Sequence, residues 1–162
     1  MKTVTTTAVF PCTPEEFWQI FFSEPYARAL FLDELAFKDF AVLEQSDSAR
    51  KLRLSPRVKL PGPLAKLMGD SFAYEEHGTF DRAKSEWTWR MVPRKEMVAT
   101  RGKVRVEPVE GGKCRRTDEV TIEGKIFGLG GLIESTAEKE VRASSAKETA
   151  FFNRWLEQHA KK

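Results

Sequence analysis

The 162-residue chain has little of what metal, redox and nucleic-acid chemistry requires. It carries two cysteines, Cys12 and Cys114, and two histidines, His77 and His159. None of the four stands at the spacing that holds zinc, so no metal site and no resident cofactor are expected. A chain of this length buries about 70% of the surface its unfolded form exposes, so it needs no staple. The two cysteines are therefore read as buried reduced thiols, a disulfide between them being the competing reading. Lys and Arg number 27 against 24 Asp and Glu, a net charge of +3, too small to mark a nucleic-acid partner. Long apolar runs are absent too. No window approaches the roughly 18 residues of a spanning helix, and residues 1 to 12 lack the apolar segment of a signal peptide. The expectation is one domain over residues 1–162, working in the cytoplasm.

Aromatics are plentiful, with 12 Phe and 4 Trp, and the order of elements is informative. Lys2 to Phe10 reads as a strand with Val4, Thr6, Ala8 and Phe10 on one face. Thr13 then caps a helix with Pro14 at its first position and Glu15 and Glu16 in its first turn, where the helix dipole favours acids. Phe17, Ile20 and Phe21 give that helix one apolar face, and Ser23-Glu24-Pro25 opens a second short helix with Tyr26 and Leu30 inward. Strands are predicted near 36–45, 49–59, 71–81, 85–92, 101–109 and 114–123. Several alternate cleanly, for instance Trp87, Trp89 and Met91 against Glu86, Thr88 and Arg90. Residues 60–69 read as a rigid turn with about one turn of helix. From about Gly130 to about Gln158 the period becomes helical, with Ile133, Val141, Phe152 and Trp155 on one stripe. Gly128, Gly130 and Gly131 precede this helix, but Ile133 breaks a G-x-G-x-x-G pattern and no P-loop Lys follows.

A helix of that length must bury its stripe, and the large apolar surface available is the concave face of a twisted seven-stranded antiparallel sheet. The expected class is α+β, a sheet wrapped around a long C-terminal helix with two short helices after the first strand. This order, with Thr13-Pro14-Glu15-Glu16-Phe17-Trp18 after the opening strand, Gly130-Gly131-Leu132-Ile133-Glu134 leading into the long helix and Phe152-Asn153-Arg154-Trp155-Leu156 near its end, resembles the START-like helix-grip superfamily, or SRPBCC. Within it the chain is most similar to a bacterial branch known as a domain of unknown function. The resemblance implies a fold that hosts lipid and sterol carriers, hydrophobic-ligand binders, polyketide aromatases and cyclases, and oxygenase domains, and does not choose among them. Nothing in the chain matches a Rieske centre or a mononuclear iron site, which sets the oxygenase reading aside.

The long helix is bulky at both ends but carries Ala143-Ser144-Ser145-Ala146 between them. Small side chains there leave a gap under a curved sheet, a usual place for a small ligand. The competing reading packs Trp87 and Trp89 down onto the window. Candidate ligand contacts are Leu52, Leu54, Phe72, Tyr74, Trp87, Trp89, Val104 and Val106 from the sheet, and Val141, Ser144, Ser145 and Phe152 from the helix. Whether Phe72 with Tyr74 or Ala73 with Glu75 points inward stays open, because a one-residue slip exchanges the faces. His77, Tyr74, Glu75 and Arg90 are the available acid-base types, but His77 and the Glu75-Glu76 pair read as wet-face residues, and no catalytic residue is assigned.

Two stretches are locally basic. Residues 50–70 hold six Lys or Arg against Asp70, and residues 94–116 hold eight against three Glu, a surplus of five in each. Beside the first lie Leu60, Leu64, Leu67 and Met68, an apolar lid in a Pro/Gly frame, and together they suit transient contact with an anionic membrane surface. The first functional reading is a non-enzymatic binder or carrier of a hydrophobic small molecule such as a lipid, sterol or polyketide-like compound. The second is a cyclase-type enzyme acting in the same cavity, and the third an interaction module whose cavity is filled by its own side chains.

Overall fold

The computed structural model describes residues 1–68 and 72–159. The predicted strand start at Ser71, with Gly69 and Asp70 of the preceding loop and the Met68 side chain, lies outside the described residues. Seven antiparallel strands form one sheet: β1 (Lys2–Phe10), β2 (Asp39–Gln45), β3 (Ala49–Ser55), β4 (Tyr74–Asp81), β5 (Glu86–Pro93), β6 (Val98–Val109) and β7 (Lys113–Gly124). Their order is β1-β7-β6-β5-β4-β3-β2, so the first strand closes onto the last and the rest is a meander. The expected α+β architecture is present: α1 (Pro14–Phe21) and α2 (Glu24–Arg28) follow β1, and a thirty-residue α4 (Gly130–His159) ends the described chain.

Local chemistry explains the start of α1. Thr13 Oγ1 accepts from the Glu16 amide at 3.1 Å and Glu16 Oε1 accepts from the Thr13 amide at 3.2 Å, a complete capping box with Pro14 in the first turn. Other boundaries move. A π-helical turn over Ala29–Glu34 prolongs α2, and Ala36 adopts a φ of 55°, so β2 begins at Asp39 and not at 36. β3 stops at Ser55 because Pro56 has no amide to continue a ladder. Residues 62–68 form a seven-residue helix, α3, longer than the one turn expected, with the Leu64 and Ala65 amides both bonded to the Pro61 carbonyl at 2.9 Å.

The inward face of the sheet is read from alternation: Val4 and Phe10, Leu52 and Leu54, Val104 and Val106, Val120 and Ile122 are all buried. α4 packs over it at two places. Near its end, Phe152 joins Phe10, Phe17, Tyr26 and Trp87 in an aromatic core. Near its start, Ile133 joins Val4, Leu64, Val98, Val120 and Ile122. Cys12 and Cys114 sit in the first core as free thiols with Sγ atoms 3.8 Å apart. Their shared hydrogen bond, together with burial, pushes the Cys12 thiol upward.

Candidate functional site

Between its two packed ends α4 presents Ala137, Val141, Ser144 and Ser145 to the sheet, and a cavity of about 400 Å³ lies beneath them. Its floor explains why the large side chains do not fill it. Residues at the same parity as Trp87 on neighbouring strands include two glycines, Gly78 on β4 and Gly102 on β6. A Cβ at Gly78 would fall 2.0 Å from Trp87 Cζ2, and one at Gly102 would fall 2.5 Å from Trp89 Cε2. The indoles therefore occupy the space that side chains at those two positions would take. Ser145 donates to Thr6 Oγ1 at 3.2 Å, tying the small-residue window to β1. Arg57, Glu140, Ala143 and Lys147 line the space yet are exposed, and they mark its mouth.

Eight of the twelve candidate contacts line this cavity: Phe72, Tyr74, Trp87, Trp89, Val104, Val141, Ser144 and Ser145. Leu52 and Leu54 do not, because Ala27 of α2 and Phe40 of β2 cover them in a separate core. Val106 and Phe152 are sealed into the aromatic core. Leu60 and Leu64 also line the wall, while Leu67 is 43% exposed.

The open question of facing is resolved in favour of Tyr74, and Glu76 comes with it. Glu75 and His77 point to the other side of the sheet, where Glu75 Oε1 and His77 Nε2 are 2.8 Å apart and Arg90 Nη2 lies 3.5 Å from His77 Nδ1. The wet-face reading thus holds for Glu75 and His77 and fails for Glu76. Tyr74, His77 and Arg90 do not converge, so that set cannot act on one ligand.

Alternation also buries charges that the composition had placed on the surface. Arg50, counted with the basic stretch, has a side chain only 5% exposed. Its Nη1 donates to the Phe21 carbonyl at 3.2 Å, its Nη2 lies 3.8 Å from Glu76 Oε1, and its guanidinium stands 5.0–5.4 Å from the rings of Phe21, Phe22 and Trp87. Arg116 is buried as well. It grips Asp118 through two bonds, Nε to Oδ2 at 2.8 Å and Nη2 to Oδ1 at 3.1 Å, and reaches Glu148 of α4 through Nη1 at 2.8 Å. All five of these charged residues line the cavity. Two further arginines of the basic stretches are paired in place, Arg53 with Asp39 and Arg105 with Glu86, each at 2.9 Å, so the free positive charge at the rim is smaller than the count implied.

The electrostatics follow from burial. It pushes the Glu76 carboxyl above the ordinary range despite the pull of Arg50, and it lowers Arg50 in turn. Burial also works against the charge of Arg116, but Asp118 and Glu148 outweigh it and hold that guanidinium above its usual value. The phenols of Tyr74 and Tyr26 are driven up by burial. Sequence reasoning missed this cluster, although parity carried the signal. Arg50 shares a face with Leu52 and Leu54; Arg116 and Asp118 stand between Cys114 and Val120 on the dry face of β7; Glu148 is one helical turn before Phe152.

Four likenesses bear on this arrangement. The family described as Protein of unknown function (DUF2505) matches residues 5–156, and the chain belongs to that family. No curated protein matches. Among solved structures, the Zhui aromatase/cyclase from Streptomyces sp. R1128 is similar at 12% identity, with 98% of this chain and 95% of that chain covered and a TM-score of 0.76. A norcoclaurine synthase point mutant from Thalictrum flavum, in complex with a transition state analogue, is similar at 12% identity over 98% of this chain and 96% of its own, TM-score 0.70. A START superfamily protein from Mycobacterium smegmatis is similar at 16% identity over 95% and 98%, TM-score 0.65. At these identities the likeness speaks for the fold, which is the START-like helix grip that the sequence resemblance implied.

Proposed function

We propose that this member of the DUF2505 family binds a small hydrophobic molecule, such as a lipid, sterol or polyketide-like compound, between α4 and the sheet. The observation that carries the reading is the open space of about 400 Å³ held between two tightly packed cores. Ligand pockets run from about 300 to 1,000 Å³ and pair apolar walls with a few fixed polar groups, which is the composition found here. The aromatase/cyclase and START likenesses support the same use of the fold. Carriage to an anionic membrane is the extended form of the reading, with Leu67 and Lys66 exposed on α3 beside the cavity-lining Leu60 and Leu64. The test is mass spectrometry of an organic extract of freshly purified protein. A ligand should be recovered from the wild type and lost from Ser144→Phe, which fills the window; the same yield from both would overturn the assignment.

A cyclase-type reaction on the bound molecule is the second reading. It is favoured by Tyr74 and Glu76 facing the cavity near Arg50, with the Glu76 carboxyl biased toward its protonated, donor form. Turnover of a poly-ketone substrate by the wild type and its loss in Glu76→Gln would select it.

A further inference from the structure

The cavity wall holds two polar groups that the described protein atoms leave without partners. Arg50 Nε has no acceptor, and the Tyr26 hydroxyl, on a residue 1% exposed, has neither donor nor acceptor. Both residues line the cavity. Neither group can turn away to find a partner. The Arg50 guanidinium is held among three rings and bonded to the Phe21 carbonyl, while the Tyr26 ring packs against Phe151, Phe152 and Trp155 at 5.4–5.6 Å. A buried N–H left unserved is costly, so a ligand oxygen that reaches it is favoured over one that does not.

Charge narrows what that visitor can be. Arg50 and Arg116 face three acids, Glu76, Asp118 and Glu148, and burial favours the neutral form of Glu76, so the cluster has no spare positive charge. Arg116 gives three of its five N–H groups to its two acids, whose charges already outnumber its own. A carboxylate or phosphate would add a negative charge that nothing in the cluster compensates, where little water screens it. A cation would meet the guanidinium of Arg50, whose free N–H can only donate.

From these donors and this balance we infer that the ligand carries an uncharged oxygen, a carbonyl or hydroxyl on an apolar skeleton, placed at the Arg50 and Tyr26 end of the cavity. Fatty-acid and phosphate headgroups are disfavoured at this end. The inference rests on the cavity being a ligand site and specifies the class of ligand that site accepts.

The test uses the full chain at neutral pH and displacement of an uncharged fluorescent probe, N-phenyl-1-naphthylamine, by four matched compounds: naphthalene, 2-acetonaphthone, 2-naphthoate and 2-naphthylmethylammonium. The ketone should bind about tenfold tighter than each of the other three. That preference over naphthalene should collapse in Arg50→Met, and in Tyr26→Phe should fall by about threefold or more. If Arg50→Met does not fold, Tyr26→Phe decides. Naphthoate binding as tightly as the ketone, or a ketone preference unchanged in Tyr26→Phe, overturns the inference while leaving the cavity reading intact. Failure of both probe and naphthalene to bind removes the cavity reading, and the inference with it.

Discussion

Alanine at Gly102 should push Trp89 into the cavity, and alanine at Gly78 should press on Trp87, which also borders the cavity but is boxed in by Phe22 and Arg50. The new methyl at 102 would lie 2.5 Å from Trp89 Cε2 and Cζ2. Carbon atoms settle at about 3.5–4.0 Å, so the indole must retreat by about 1 Å. Trp89 is only half-buried and borders open space, which puts the strain near the low end of the roughly 1–3 kcal/mol that overpacking costs. Replacing a strand glycine returns about 0.5–1 kcal/mol. The net loss for Gly102→Ala is then at most about 1 kcal/mol, a fall in Tm of about 2–4 °C, with a larger effect on binding because the indole now occupies the ligand's space. At Gly78 the methyl would lie 2.0 Å from Trp87 Cζ2. Trp87 is 1% exposed, with the Phe22 ring 5.3 Å and the Arg50 guanidinium 5.2 Å away. The cost there should reach about 3 kcal/mol, lowering Tm by about 6–12 °C. Thermal denaturation followed by circular dichroism, together with displacement of the uncharged probe, separates the two effects. The reasoning is refuted if Gly102→Ala binds the probe like the wild type while Gly78→Ala melts within about 2 °C of it.

Three further expectations follow from the buried polar groups. Arg116→Ala strands Asp118 and Glu148 without their cation and should cost about 3–5 kcal/mol, a Tm loss of about 6–20 °C; a loss under about 3 °C would mean the pairs are not formed in solution. Glu76 titrates near an ordinary value of about 4.3 when unfolded and higher when folded, so the native state keeps a proton that the unfolded chain releases. Its contribution is full below the ordinary range and lost as pH rises through the folded value; between about pH 5 and pH 8 the wild type should therefore lose Tm relative to Glu76→Gln. A difference that is flat or of opposite slope counts against it. A thiol reagent such as 5,5′-dithiobis(2-nitrobenzoic acid) should find neither Cys12 nor Cys114 in the native protein and both after denaturation. Reaction before unfolding would contradict their burial, and none afterwards would reveal a disulfide.

The buried charges also explain how the helix and sheet are tied across the cavity. Glu148 reaches from α4 to Arg116 on β7, and Ser145 reaches to Thr6 on β1, so the roof is held by polar links where its small side chains make few apolar contacts. Lys2 to Glu138 at 3.1 Å and the N-terminal amine to Glu134 at 2.9 Å add to this along the earlier part of the helix. The opening beneath the window is spanned at both ends and need not be filled to hold its shape.

What the amino-acid order determined by itself is local and periodic. The Thr13-Pro14-Glu15-Glu16 start of α1 needs no distant partner, since both capping bonds close within three residues. Alternation by two settled which side chains of β5 and β6 share a face, and the small window in α4 announced a gap. What only the tertiary structure decided depends on strands brought together from afar. Gly78 lies under Trp87 and Gly102 under Trp89 because of cross-strand register, and without that placement the two indoles could equally have filled the space. The same assembly gathered Arg50, Glu76, Arg116, Asp118 and Glu148 into one cluster at the cavity, with both arginines buried and the acids half-buried. A charged residue at a dry-face position signals a conflict in the sequence, but the partner that resolves it is chosen by the fold: Glu148 meets Arg116 from 32 residues away.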